Sequence, residues 1–401
     1  MPERRCKNWI ETYLELTLPC SVAPESFLTW SGLFCISSVL KRKVHFSKDY
    51  LKLYDAWPHM YLVLVGPPGV ATKTTTMGIA EELLNRVNKG LAVSDPAFIN
   101  FGPTSGSWVK IIEKMSKNFD GSMCIMSGEI GNLLSYDPMG AYDFYSRIFD
   151  NPIIYQHSTR GNADETIVLP NLNIIGCTNP DWININSGYI LKGGFAARTI
   201  FIFEYQPRQV KMHYDDVSQS VEDLNKLKTD LAHDLKIIGQ MRGEFTYESK
   251  ELRDKVEAWY QKYKKENVAK AVETFSARKH IHLLRTSMLL SAAQSDDRIV
   301  RDSHIEGAKI LIEDVEKKLT RGLSGIGRNQ YSQELYDILD FIKKNEPVEI
   351  RPKNKLWAAF WQMFPDKTAF ESIMETLKAL DEIEEVDMGT AGKVVRMKKV
   401  K

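Results

Sequence analysis

Cysteine is scarce. Five of 401 residues, Cys6, Cys20, Cys35, Cys124 and Cys177, are scattered without any CxxC spacing. That scatter excludes the usual cysteine-ligated zinc sites and suits a reducing compartment, so a cytoplasmic protein is expected. Long apolar runs are also missing. Nothing approaches the roughly eighteen residues of a membrane span, and Met1-Pro-Glu-Arg-Arg leads into no apolar segment of export length, so neither membrane insertion nor secretion is expected. An excess of one charge is the third absence: 53 Lys and Arg stand against 52 Asp and Glu, a formal net charge of +1. Any nucleic-acid contact must then come from local basic surface rather than a global field. What remains is 43% hydrophobic, enough for a sizeable core and for more than one domain.

The most informative segment is Tyr61-Leu-Val-Leu-Val-Gly66-Pro67-Pro68-Gly69-Val70-Ala71-Thr72-Lys73-Thr74-Thr75. Five apolar residues suit a buried parallel strand, and Met77, Ala80, Leu83, Leu84 and Val87 then recur at helical spacing. A glycine-rich turn between strand and helix is a phosphate loop in its proper context: helix-start amides can wrap phosphates, Lys73 can neutralise them and Thr74 can ligate magnesium. The turn is one residue longer than the usual pattern, with Ala71 and Thr72 where one glycine would stand.

Along the chain, residues 1–45 read as a helical prefix, with Trp9, Ile10, Tyr13 and Leu14 on one face and a dense apolar stretch over Phe27 to Leu40. Residues 46–207 alternate strand-like and helical segments, the α/β signature of a parallel sheet. Residues 208–328 read as helical. One stripe is Leu252, Val256, Trp259, Tyr260 and Tyr263, and another is Ile305, Ala308, Ile312, Val315 and Leu319. The glycine-rich stretch Gly322 to Asn329 marks a domain boundary. In 329–401 the order is three helices followed by strands Ile383 to Asp387 and Lys393 to Met397, as in a winged helix, a fold that docks duplex DNA or protein.

Three further strand ends carry polar groups. Gly121 to Gly128 leads into Glu129, placed to orient an attacking water, with Gly128 where an aspartate would help hold magnesium. Leu172 to Thr178 ends at Asn179-Pro180, an amide within reach of phosphate or water, although Asn-Pro is also a common turn. Arg198 directly precedes the apolar strand Thr199 to Phe203. Between Glu129 and Asn179, Ile153 to Leu169 reads as two strands around Gly161-Asn162.

Order and spacing of these elements resemble the AAA+ ATPases, in particular helicases similar to the minichromosome-maintenance type and their phage and mobile-element relatives, over roughly residues 46 to 320. On that resemblance Gly66 to Thr74 are Walker A, Glu129 the Walker B glutamate, Asn179 sensor 1, Arg198 an arginine finger, and Arg278 within Phe275 to Arg285 a sensor 2 arginine on a helical lid. Residues 153–169 resemble the hairpin inserted before sensor 1, which in that family faces a central pore, and there His157 and Arg160 are the candidates for contact with the phosphate backbone of DNA. The family implies ATP and magnesium, with Thr74 and Glu129 at the metal, a homo-oligomeric hexameric ring, single-stranded or forked DNA, and replication proteins as partners, in a host-cell cytoplasm if a phage encodes the chain. The function so implied is an ATP-dependent DNA helicase or translocase. An AAA+ initiator or helicase loader without processive unwinding is the alternative.

Overall fold

The computed structural model describes residues 3–46, 55–158, 164–190, 194–210, 219–265, 272–323, 338–339, 341–342, 351–361, 367–379, 383–387 and 393–397. The chain divides into two compact units, Met1–Leu323 and Ser324–Lys401.

The first unit opens with helix α1 (Trp9–Thr17), capped by the Asn8 side chain, which accepts from the amides of Ile10 and Glu11. Helix α2 (Glu25–Leu40) is apolar all round, and Phe27, Leu28, Trp30, Leu33, Phe34, Ile36, Val39 and Leu40 are fully or almost fully buried. A helix without a polar face belongs inside a core. Residues 1–45 belong to the same compact unit as the α/β region and the helical segment after it. Strand β1 (Val44–Phe46) follows.

The phosphate-loop strand β2 (Tyr61–Val65) leads into α3 (Lys73–Asn88), and α4 (Trp108–Lys117) precedes β3 (Ser122–Ser127). Helices α5 (Gly131–Leu134) and α6 (Pro138–Phe149) precede a hairpin of β4 (Ile154–His157) and β5 (Glu165–Val168). Strand β6 (Asn171–Thr178), α7 (Pro180–Ile190), α8 (Gly194–Arg198) and β7 (Thr199–Phe203) complete this region. The central sheet is parallel throughout, in the order β3-β6-β2-β7. Every residue of its four strands is buried, as a sheet covered on both faces requires.

The segment after residue 207 carries α9 (Val221–Ile238), β8 (Gly243–Tyr247), α10 (Lys250–Tyr263), α11 (Glu273–Gln294), β9 (Ile299–Val300) and α12 (Asp302–Leu323). It is not wholly helical, because β1, β8 and β9 form a second parallel sheet in the order β1-β8-β9. That sheet ties the prefix to the later helices. The α12 stripe of Ile305, Ala308, Ile312, Val315 and Leu319 is buried as its spacing predicts.

In the second unit, β10 (Arg351–Pro352), α13 (Lys353–Phe360), α14 (Lys367–Ala379), β11 (Ile383–Asp387) and β12 (Lys393–Met397) surround one core. Its sheet is antiparallel, in the order β10-β12-β11, and Ile383 pairs with Met397. Ile338, Leu339, Ile342, Leu356, Phe370, Ile373, Met374 and Val395 fill the core. The expected turn at residues 388–392 lies outside the described residues.

Candidate functional site

The loop after β2 is shaped by close approach. A Cβ on Gly66 would stand 2.5 Å from the Glu204 carbonyl oxygen and 2.7 Å from the Ala71 Cβ, so only glycine fits there. The Gly66 amide donates to the Thr178 carbonyl at 3.2 Å, fastening the loop to the end of β6. Gly69 has φ +70°, and Thr72 has φ 49° in the left-handed region. The extra residue is thereby absorbed: Ala71 is buried against Gly66, and Thr72 makes the additional reversal before α3 begins at Lys73. Among the described residues the buried hydroxyl oxygens of Thr72 and Thr178 have no hydrogen-bond partner.

Lys73 sits inside this loop. Its Nζ donates to the carbonyls of Gly66 at 2.5 Å and Pro67 at 3.1 Å. Burial lowers the pKa of the ammonium, while the nearby Glu129 carboxylate acts in the opposite direction. Thr74 and Thr75 are exposed on the first turn of α3, where helix amides have no intrahelical acceptor. Pro68 and Val70 are exposed at the rim and Pro67 is half-buried.

Glu129 stands just past the end of β3 and is exposed. Its backbone is held firmly: the Ser127 hydroxyl donates to the Glu129 carbonyl at 2.8 Å, and the Ile130 amide donates to the Cys177 carbonyl at 2.9 Å. A Cβ built on Gly128 would lie 3.8 Å from the Thr74 Cγ2, ordinary van der Waals contact. The missing aspartate is thus not excluded by space.

Asn179 follows β6, between the ends of β2 and β3. Its Oδ1 accepts from the Trp182 amide at 2.7 Å, an N-cap for α7. Its Nδ2 makes no hydrogen bond among the described residues and remains a free donor. Because three neighbouring parallel strands end here, Lys73, Thr74, Glu129 and Asn179 lie around one crevice, the usual ligand position in an open parallel sheet. The glycine-shaped loop, the amine inside it and the unpartnered Thr72 hydroxyl fit a polyphosphate. Magnesium fits as well, since it is commonly held by one or two protein oxygens plus substrate phosphates. Among the described residues no cluster of three or more His, Cys, Asp or Glu could hold a metal by itself.

Arg198 lies at the opposite edge. Thr199 pairs with Tyr61 at the start of β2, so a five-residue strand, about 16 Å, separates Arg198 from the level of its own phosphate loop. Its Nε donates to Asp150 at 3.2 Å, a second ion pair joins its Nη2 to the other Asp150 oxygen, and Nη1 donates to the Gly194 carbonyl at 2.8 Å. Arg278 reaches the same carboxylate at 2.9 Å. Burial raises the Asp150 carboxyl pKa, but Arg198 and Arg278 outweigh it and hold the group below its ordinary value. Arg285, in the same sequence motif as Arg278, is buried with its guanidinium 4.0 Å from the Phe149 ring centroid and donates to the His59 carbonyl at 3.1 Å. Burial lowers its pKa to about 9.

Sequence reasoning brought Arg198 and Arg278 forward but missed Asp150, which joins them. A carboxylate at the end of a helix gives no local signal when its partners lie 48 and 128 residues away.

The hairpin forms, with Ile154 opposite Val168 and His157 opposite Glu165. The His157 ring meets Trp108 edge-on at 4.8 Å, and its Nε2 is buried without a hydrogen-bond partner among the described residues. Arg160 lies outside the described residues. Among the described residues no helix is long and apolar enough to cross a membrane. No protein-family model matches the chain, and no curated protein matches its sequence.

Proposed function

We propose that the chain is an ATP-driven DNA helicase or translocase of the AAA+ type, acting in the replication of a phage or mobile element and assembling as a ring, on the family resemblance a hexamer. The observation that carries this reading is the crevice in which the Gly66–Thr75 loop, Glu129 and Asn179 meet at the ends of three adjacent parallel strands. Loop and helix amides with Lys73 would hold the phosphates, Glu129 would orient water, and the free Asn179 amide would contact the γ-phosphate or that water. Magnesium, held through Thr74 and the phosphates with Glu129 close by, would neutralise charge developing on the phosphoryl group.

Arg198 stands about a strand's length from its own chain's loop, and Arg278 shares Asp150 with it. They fit a role at a neighbour's nucleotide, where phosphate would compete with Asp150 for both guanidiniums. The second unit, with its helices and three-stranded antiparallel sheet, supports a winged-helix-like module for docking DNA or a replication protein. The hairpin supports a grip on a single strand, carried by its tip rather than by His157.

Mixing two inactive proteins tests the shared site. Arg198→Ala should retain ATP binding and lose hydrolysis by about 10³-fold, the range for an arginine finger. Added to Glu129→Gln, it should regain activity at interfaces where an intact Glu129 meets an intact Arg198. Full activity of purified monomeric Arg198→Ala would contradict a role in trans, and absence of DNA-stimulated hydrolysis in the parent would favour the initiator or loader alternative.

A further inference from the structure

A cleft of about 320 Å³ lies between the N-terminal segment, the end of α3 and the later turns of α9. Arg5, Arg86, Lys89, Thr229, His233 and Lys236 line it. The sixteen residues of α3 span about 24 Å, so the end bearing Arg86 is well removed from the phosphate loop at its start. This is a separate place on the first unit.

Its charges are only partly neutralised. Arg5 pairs with Asp230 at 2.9 Å, and Arg86 pairs with Glu82 at 2.9 Å. That glutamate is shared with Lys228 at 2.8 Å. Among the described residues the Lys236 ammonium meets only a carbonyl, that of Lys89, at 2.9 Å. The Lys89 ammonium makes no hydrogen bond or ion pair among the described residues. The Asp234 carboxylate is buried and spent on the amides of Arg5 and Cys6, with His233 beside it at 3.0 Å. Basic residues at helix ends do complement the helix dipole, which accounts for Arg86 and Lys236 separately. Dipole compensation does not account for Arg5, which comes from outside both helices and closes the third side.

We infer that this cleft binds the phosphodiester backbone of a single nucleic-acid strand, a contact additional to the hairpin; the choice of partner rests on the function proposed above. The donors are lysine and arginine side chains on long stems around an open cleft, a set that tracks successive phosphates as point charges. A free polyphosphate would be better held by a ring of backbone amides, as at the Gly66–Thr75 loop.

The test is fluorescence anisotropy of a labelled oligothymidine of about 20 nucleotides with the full-length protein, from roughly 50 to 300 mM salt. Lys89→Gln with Lys236→Gln should bind about tenfold more weakly at low salt, and the log–log salt slope should be shallower by about 1.4, two contacts at about 0.7 each. ATP binding measured on the same samples should be unchanged. Parent-like affinity and slope in the double variant would overturn the inference and leave the motor reading standing. So would competition showing that inorganic tripolyphosphate, and not the oligonucleotide, loses its site. A parent that binds no oligonucleotide would overturn both, whereas lost ATP binding with normal oligonucleotide binding would count against the motor alone. If the double variant melts early, Lys89→Gln alone decides, since that ammonium has no partner among the described residues; half the slope change is then expected.

Discussion

At the residue scale, the phosphate loop shows how a departure from pattern can be absorbed without losing the site. The sequence shows Ala71 and Thr72 in place of one glycine; the structure buries the first and turns the second into the left-handed region. Gly128 offers the complementary case. Its Cβ position is open apart from the Thr74 methyl at 3.8 Å, and its backbone is outside the positive-φ region. Gly128→Asp should therefore fold normally and place a carboxylate beside the Thr74 side chain. The magnesium concentration for half-maximal ATP hydrolysis should fall by several-fold. A magnesium titration of hydrolysis checks this, and an unchanged requirement in a folded variant would remove Thr74 from the metal's surroundings.

At the element scale, what sequence disclosed and what it hid follow physical lines. Strands β2, β3, β6 and β7 were legible because buried parallel strands are uninterrupted apolar runs. The hairpin β11–β12 was legible to the residue from its flanking turn. Strands β1, β8 and β9 were not, because three short segments such as Val44–Phe46 acquire meaning only by pairing across the chain. The burial of α2 was legible as apolar density, but not which elements would cover it. For the hairpin β4–β5, spacing located the strands, while alternation decided that His157 faces Trp108 rather than outward. Arg160→Ala should accordingly weaken single-strand binding and flatten its salt slope by about 0.7, whereas His157→Ala should leave that slope unchanged. Anisotropy across a salt series checks both, and a slope that changes for His157 alone would contradict the assigned orientation.

At the scale of the whole molecule, buried histidines make the first unit sensitive to acid. Burial lowers the pKa of His59 well below its ordinary value, that of His280 to about 4 and that of His282 to about 3; His304 is lowered as well. Below about 6.5 the unfolded chain takes up protons that the folded rings refuse, so stability is retained above that pH and falls from 6.5 toward 4. Urea midpoints at pH 7.5 and 5 should show a lower value at pH 5; an equal or higher one would contradict the burial. All the groups assigned to nucleotide chemistry lie in the first unit, Met1–Leu323, so the central claim reduces to one loop. Calorimetric titration of magnesium–ATP into the full-length protein tests it most directly. The parent should bind, and Lys73→Ala, with its fold intact, should lose measurable binding because the loop's only lysine is gone. Equal affinity in parent and variant would show that the Gly66–Thr75 loop is not the phosphate site.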